Sequence, residues 1–461
     1  MFDSVLRRFM DEAPVCVAVR ATLERLLRPG WLDELFGREA RHQYESKLLF
    51  STLVELMGQV VCGSRRSVHE AYQHAREMGV SIAAVYDKLN GLEPQIGAAL
   101  VRQSAQEVAA VLEHLPLPPS PLAGYELRIV DGNHLATTQH RLKELRTTRS
   151  GPLPGQALVV LDPRRRLMLD LVACEDGHAQ ERSLVPVVLE FVRPGELWMA
   201  DRNFCTTLML AGVIARQAFF LIRQHASTLR WEECGRWRDR GRSVSGRVYE
   251  QPIRVLLPGP GGGGVWARLR RIKLVLDEPT RDGEREIYLL SNLPDEAASA
   301  AELADLYKGR WQVEGAFGEL TTSLRCEVDT LGYPRAALFA FSLALLAYNA
   351  VSLVKTALAQ AHGGHEKVGR EVSFYQLSRE VAATARGMEL AVDPAQWAIF
   401  AAMTPRRFAR ALVSLAKRMN PRRYRKHPRG PKRKRPPRTH GRRIKHVATA
   451  RILARRTAGS G

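Results

Sequence analysis

Between residues 122 and 225 the apolar residues fall into short strand-like runs rather than helical repeats. LRIVDG (127–132), ALVVLD (157–162) and LMLDLVA (167–173) come first. A helical stretch, about Ser183 to Val192, precedes ELWMADR (196–202). A second, about Thr207 to Gln217, precedes AFFLIRQ (218–224). Three strands, a helix, a strand, a helix and a strand is the order of a mixed α/β sheet. In such sheets functional groups gather at strand ends. Asp131 and Asp201 each end an apolar run.

The flanks have other periods. Up to about residue 115 apolar positions recur at three and four, as in Leu49, Phe50, Leu53, Val54 and Met57, so residues 1–115 are expected to form a helical N-terminal domain, with DNA binding as its expected role. A helix ending at Gly79 and another capped by Ser81 can form a helix-turn-helix with Tyr86 and Lys88 facing DNA. The alternative is an ordinary pair in a bundle. Pro116, Pro118, Pro119 and Pro121 mark a linker. Residues 226–296 alternate in character and predict a β-rich insertion. Within it, 259–264 matches G-x-G-x-x-G, but a strand follows, so the match is a hairpin turn and not a dinucleotide site. Helix returns over 297–360 and continues through 361–419. Residues 336–354 are long and apolar enough to span a bilayer. Ser342, Tyr348, Asn349 and Ser352 interrupt them, so a buried core helix is expected and no membrane contact.

A chain of 461 residues exceeds one compact core and implies several domains. Its net charge of +21 is unevenly placed. Of 69 Lys and Arg residues, 21 lie from Pro405 onward with no acidic residue among them, which leaves 48 against 48 elsewhere. Such a block binds polyanions, nucleic acid above all, or else is a solvated tail. Residues 420–461 are proline-punctuated and basic, and are expected to be disordered without a partner. The six cysteines carry no C-x-x-C pair, which fits buried thiols in a reducing compartment. Cys174 and His178 are close in sequence, but without a paired motif a structural role is expected rather than zinc. The N-terminus is charged where an export signal needs an apolar core.

The stretch Tyr307-Lys-Gly-Arg310-Trp-Gln-Val-Glu314 carries the chemistry. At about 100° per residue, Tyr307 and Glu314 would lie within about 20° on a helix, with Arg310 within about 60° of both. Tyr307 and Arg310 could hold a phosphate while Glu314 binds a metal beside it. Phosphodiester cleavage requires an attacking oxygen activated and a leaving oxygen stabilised. Two divalent ions about 3.5–4 Å apart supply both, and carboxylates hold them. Asp131, Asp201 and Glu314 would supply that triad. Trp231, Trp237 and Trp266 are candidates to stack on an unpaired base, with core packing as the alternative.

These residues resemble the DDE transposases of bacterial insertion sequences, in the family marked by Tyr-x2-Arg-x3-Glu-x6-Lys. Tyr307, Arg310 and Glu314 match three of its four positions, and Val130-Asp131-Gly132-Asn133 and Ala200-Asp201-Arg202-Asn203-Phe204 match its aspartate motifs. The lysine position falls on Thr321, and Arg325, eleven residues after Glu314, is the candidate replacement as a phosphate contact. The resemblance covers about residues 10–360. It implies an α+β multidomain chain with a ribonuclease-H-like core over 122–225 and 297–360, interrupted by the insertion. It further implies two Mg²⁺ ions, with Mn²⁺ as a substitute, on a catalytic triad of Asp131, Asp201 and Glu314. Element ends and target would be double-stranded DNA, held by at least a dimer in a bacterial cytoplasm near the nucleoid. Two alternatives are a nuclease that only hydrolyses and a silent, domesticated DNA-binding protein.

Overall fold

The structure, a computed structural model, describes residues 2–458 except 44–46, 76–77, 137, 139–141, 147–149, 226, 260–262, 281–282, 329 and 428–445. The five expected runs form strands β1 (Glu126–His134), β3 (Gln156–Asp162), β4 (Leu167–Cys174), β5 (Glu196–Ala200) and β6 (Phe219–Arg223), and a short unexpected strand, β2 (Gly151–Leu153), lies between β1 and β3. The alternating region adds β7 (Trp231–Glu233), β8 (Arg238–Ser243), β9 (Gly246–Pro258), β10 (Gly264–Leu276) and β11 (Glu286–Ser291). A final β12 spans His446–Ala448. Ten strands share one sheet, in the order β4-β3-β1-β5-β6-β11-β10-β9-β7 with β8 on β9. β4, β3 and β1 run antiparallel, whereas β1, β5 and β6 are parallel. The fold is α+β, and these five strands follow the expected ribonuclease-H-like plan.

Alternation along the strands divides the core in two. Leu127, Ile129, Val159 and Leu197 pack on one face with the helices, and Val130, Leu158, Val160 and Trp198 on the other. The second face is covered by the crossover helices Val185–Phe191 and Thr207–Ala215, through Val185, Val188, Met209 and Leu210. Behind the first face lies the helix Pro334–Ala361, whose apolar window is entirely buried. The expected core helix is therefore present. The N-terminal helices and those between Phe374 and Arg418 share this first core.

The β-rich insertion over 226–296 is present as β7–β11, and it joins the core sheet, since β11 pairs antiparallel with β6, Leu289 opposite Arg223. Two expectations need correction. Lys88 does not face a partner, because its ammonium donates to the Leu48 carbonyl at 2.5 Å and stands over the Phe36 ring, and Tyr86 packs against the core. The tail is ordered at both ends. Pro421–Tyr424 forms a turn, β12 pairs in parallel with β2, and the helix Thr449–Ala458 follows. The centre of the expected disorder, 428–445, lies outside the described residues.

Candidate active site

The sheet register brings the two aspartates together. β1 and β5 are parallel neighbours with Ile129 opposite Met199. The pairing ends there, and Asp131 and Asp201 each follow two residues further on, near enough for the Asp201 charge to act on the Asp131 carboxyl. Asp131 lies inside β1, not at its end as expected: pairing with β3 continues to His134. Asp201 directly follows β5, and its carboxylate accepts from the Asn203 N–H at 2.8 Å as the cap of a short turn.

Glu314 comes from the other side. The expected single helix breaks into Ala300–Lys308 and Trp311–Ser323. Between them Arg310 N–H bonds to Tyr307 O, and Val313 N–H to Arg310 O. These are three-residue steps, tighter than an α-helix, and they rotate Tyr307 away from Glu314. Tyr307 is consequently buried, with its hydroxyl 3.3 Å from the Ala200 carbonyl. Burial also pushes that hydroxyl's pKa up. It braces the end of β5, within electrostatic reach of Arg310, Asp201 and Asp131.

Arg310 joins the two halves. Its Nη1 donates to Asp131 at 2.9 Å and its Nη2 to Glu314 at 2.7 Å. The guanidinium side chain is only 10% exposed, whereas that of Glu314 is 53% exposed. Both forks of Arg310 are thus taken by carboxylates, and none points to a phosphate as expected. Burial works against its charge, but Tyr307, Asp131 and Glu314 together hold its pKa above the ordinary value. Burial is also the main cause that raises the Asp131 carboxyl to about 6; Arg310 opposes this and Asp201 adds to it.

A fourth carboxylate, Glu181, belongs to the same cluster. It accepts from the Asn203 side chain at 3.0 Å, and its field also acts on Asp131. A Cβ on Gly132 would lie 1.9 Å from its Oε1, which explains the glycine after Asp131. No sequence motif marks Glu181, since only the fold brings it from the loop after β4. Arg325 is the opposite case. The helix ends at Ser323, and Arg325 donates to the carbonyls of Arg65 and Arg66, so it does not stand on the Glu314 face. Thr321 returns its hydroxyl to the Phe317 carbonyl at 3.0 Å. The three tryptophans are half-buried and already stacked. Arg271 lies 4.4 Å from Trp231 and 5.2 Å from Trp237, and Arg254 covers Trp266.

The donor set is made of carboxylate oxygens, the chemistry that suits a hard divalent cation. Among the described residues, no three His, Cys, Asp or Glu side chains stand close enough to hold one. The reason is visible in the geometry: the Arg310 guanidinium occupies the space between Asp131 and Glu314. The residues fit a cation in kind, provided that Arg310 withdraws.

Residues 122–350 match the sequence model of the family described as Transposase DDE domain. No curated protein matches the chain. A cryo-EM structure of the piggyBac transposase synaptic complex with hairpin DNA is similar at 9% identity and a TM-score of 0.42, covering 88% of this chain and 86% of that one.

Proposed function

This chain belongs to the DDE transposase family, and we propose that it cuts DNA at the ends of an insertion sequence and joins the freed 3′-hydroxyl to target DNA. The observation that carries this reading is the proximity of Asp131 and Asp201 beyond the last parallel pair of β1 and β5, with Glu314 tied to Asp131 through Arg310. Asp131, Asp201 and Glu314 would hold two Mg²⁺ ions, or Mn²⁺ in their place, which when bound activate the attacking oxygen and stabilise the leaving one.

The chain's own groups prepare that chemistry. The Tyr307 hydroxyl on the Ala200 carbonyl fixes the end of β5 and so the height of Asp201. The Asn203 N–H holds the Asp201 carboxylate, and the Asn203 amide holds Glu181 beside it. Arg310 neutralises Asp131 and Glu314 until a cation replaces it. The substrate is double-stranded DNA, and pairing two ends requires at least a dimer in the active complex. The protein would act in the bacterial cytoplasm, at the nucleoid.

The test uses a pre-cut end. DNA flanking the gene, supplied with a free 3′-hydroxyl, should become covalently joined to a supercoiled plasmid in the presence of Mg²⁺. Cleavage of the uncut end without any joining would instead identify a nuclease that only hydrolyses. Binding without either reaction would identify a silent DNA-binding descendant.

A further inference from the structure

Glu314 opens onto a groove of about 1390 Å³ that the carboxylate site does not use. Its floor is the exposed side of the helix Trp311–Ser323, where Gly315 and Gly318 have no neighbour within 4 Å of a Cβ position. Its far wall comes from the chain after residue 420, folded back as an extended segment. The Ser373 N–H donates to Tyr424 O and the Lys426 N–H to Glu371 O, each at 2.7 Å, and Val372 bridges Arg425. Tyr424 is buried, with its hydroxyl on Glu380 at 2.8 Å. Anchored in this way, Arg422, Arg423, Arg425 and Lys426 are exposed along the groove.

The charge balance favours an anion. Arg370 joins those four residues, against Glu314, Glu319 and Glu371 on the same walls. Arg370 lies near Glu371 and Glu366, Arg423 near Glu380, and Lys426 donates to the Gly369 carbonyl, so among the described residues Arg422 and Arg425 carry the free charge. Glu319 is already paired with Arg166 at 3.1 Å. Arg422 and Arg425 make no ion pair among the described residues. Under the groove, Lys355 of the helix Pro334–Ala361 is 7% exposed, and its Nζ has no hydrogen-bond partner. Burial lowers its pKa to about 7, so it adds little to the charge of the groove. Tyr375, 45% exposed, presents an aromatic ring at the rim. A basic channel with an exposed aromatic is the arrangement that holds a nucleic-acid strand. The chain leaves the channel at His427 directly into residues 428–445, which carry nine more Lys and Arg.

We propose that this groove is the track of the DNA strand that leads to the phosphate cut beside Glu314, with Arg422 and Arg425 on its backbone and Tyr375 stacked on a base near the cut. Residues 422–426 are then part of the catalytic face. The proposal rests on Glu314 marking the place of cleavage, although its test needs no cleavage.

The experiment measures binding of full-length protein to a fluorescein-labelled random-sequence duplex with a single-stranded 3′ extension, by anisotropy across a KCl series. Arg422→Glu combined with Arg425→Glu should raise Kd at least about tenfold and lower the slope of log K against log salt by about 1.8, two phosphate contacts' worth. Arg7→Glu with Arg8→Glu changes the net charge equally on an exposed helix outside the groove, and should shift Kd less than about twofold. Tyr375→Ala should erase preference for the extended over the blunt duplex, since the exposed ring is the platform on which an unpaired base stacks. An equal loss in the Arg7/Arg8 control, or an unchanged salt slope in the groove variant, overturns the proposal. A parallel cleavage assay with Glu314→Gln separates the two readings. Cleavage retained by that variant would sink the carboxylate site and leave the groove result standing.

Discussion

At the residue scale, Arg310 decides what state the site is in. A guanidinium bonded to two carboxylates is a strong local counter-charge, and a cation entering between Asp131 and Glu314 must displace it. Arg310→Gln should therefore bind Mn²⁺ several-fold more tightly than the parent, read by electron paramagnetic resonance without DNA. Weaker binding in that variant would mean that Arg310 organises the carboxylates rather than competing for them. Asp131 has a consequence of its own. Its carboxyl is raised to about 6, mainly by burial, above the ordinary value near 3.9. The folded protein thus binds this proton more tightly than the unfolded chain, so this group's contribution to stability falls as pH rises from about 4 to about 6. Metal-free protein should lose thermal stability across that window, and Asp131→Asn should lack that component. Cleavage needs the ionised carboxylate, so its rate should fall as pH drops through the same range unless bound metal moves it lower.

At the scale of elements, one side chain couples the buried helix to the sheet. Asn349 of Pro334–Ala361 accepts from the Met168 N–H at 2.8 Å and donates to the Met168 carbonyl at 2.9 Å. It serves β4 beside the point where its register with β3 shifts. Asn349→Leu would leave both backbone groups buried and unpaired, at about 1–3 kcal/mol each. Chemical denaturation should show a loss of about 2–5 kcal/mol on that basis; a loss below about 0.5 kcal/mol would mean that water takes over both groups. Elements are also where the sequence was most legible. Strands announce themselves by short apolar runs, and the buried helix by its unbroken apolar length. The tightened turn at Gly309–Arg310 was not legible, because a three-residue step leaves no compositional mark. That step turned an expected Tyr307–Arg310–Glu314 row into a brace and a counter-ion. The position of Arg325 was misjudged for a related reason, since a helical angle holds only while the helix lasts.

At the scale of the whole molecule, sequence-distant parts meet because one sheet runs through them. The β-rich insertion extends that sheet from β6 to β11, a pairing that alternation along single strands cannot reveal. Glu181 and the groove wall after residue 420 have the same origin, as both depend on long-range contacts. Asp131 and Asp201 could be named from their runs, whereas their approach to one another needed the register. The central claim is that Asp131, Asp201 and Glu314 form one metal-dependent site for cutting DNA. The most direct measurement is Mg²⁺-dependent nicking of a supercoiled plasmid carrying the gene's flanking sequences, by the parent and by Asp131→Asn, Asp201→Asn and Glu314→Gln, with DNA affinity measured in parallel. The account predicts that each substitution abolishes nicking while DNA affinity stays within about threefold, because phosphate contacts, not the triad, supply most of it. Nicking retained by any one of the three, or lost only together with binding, would contradict it.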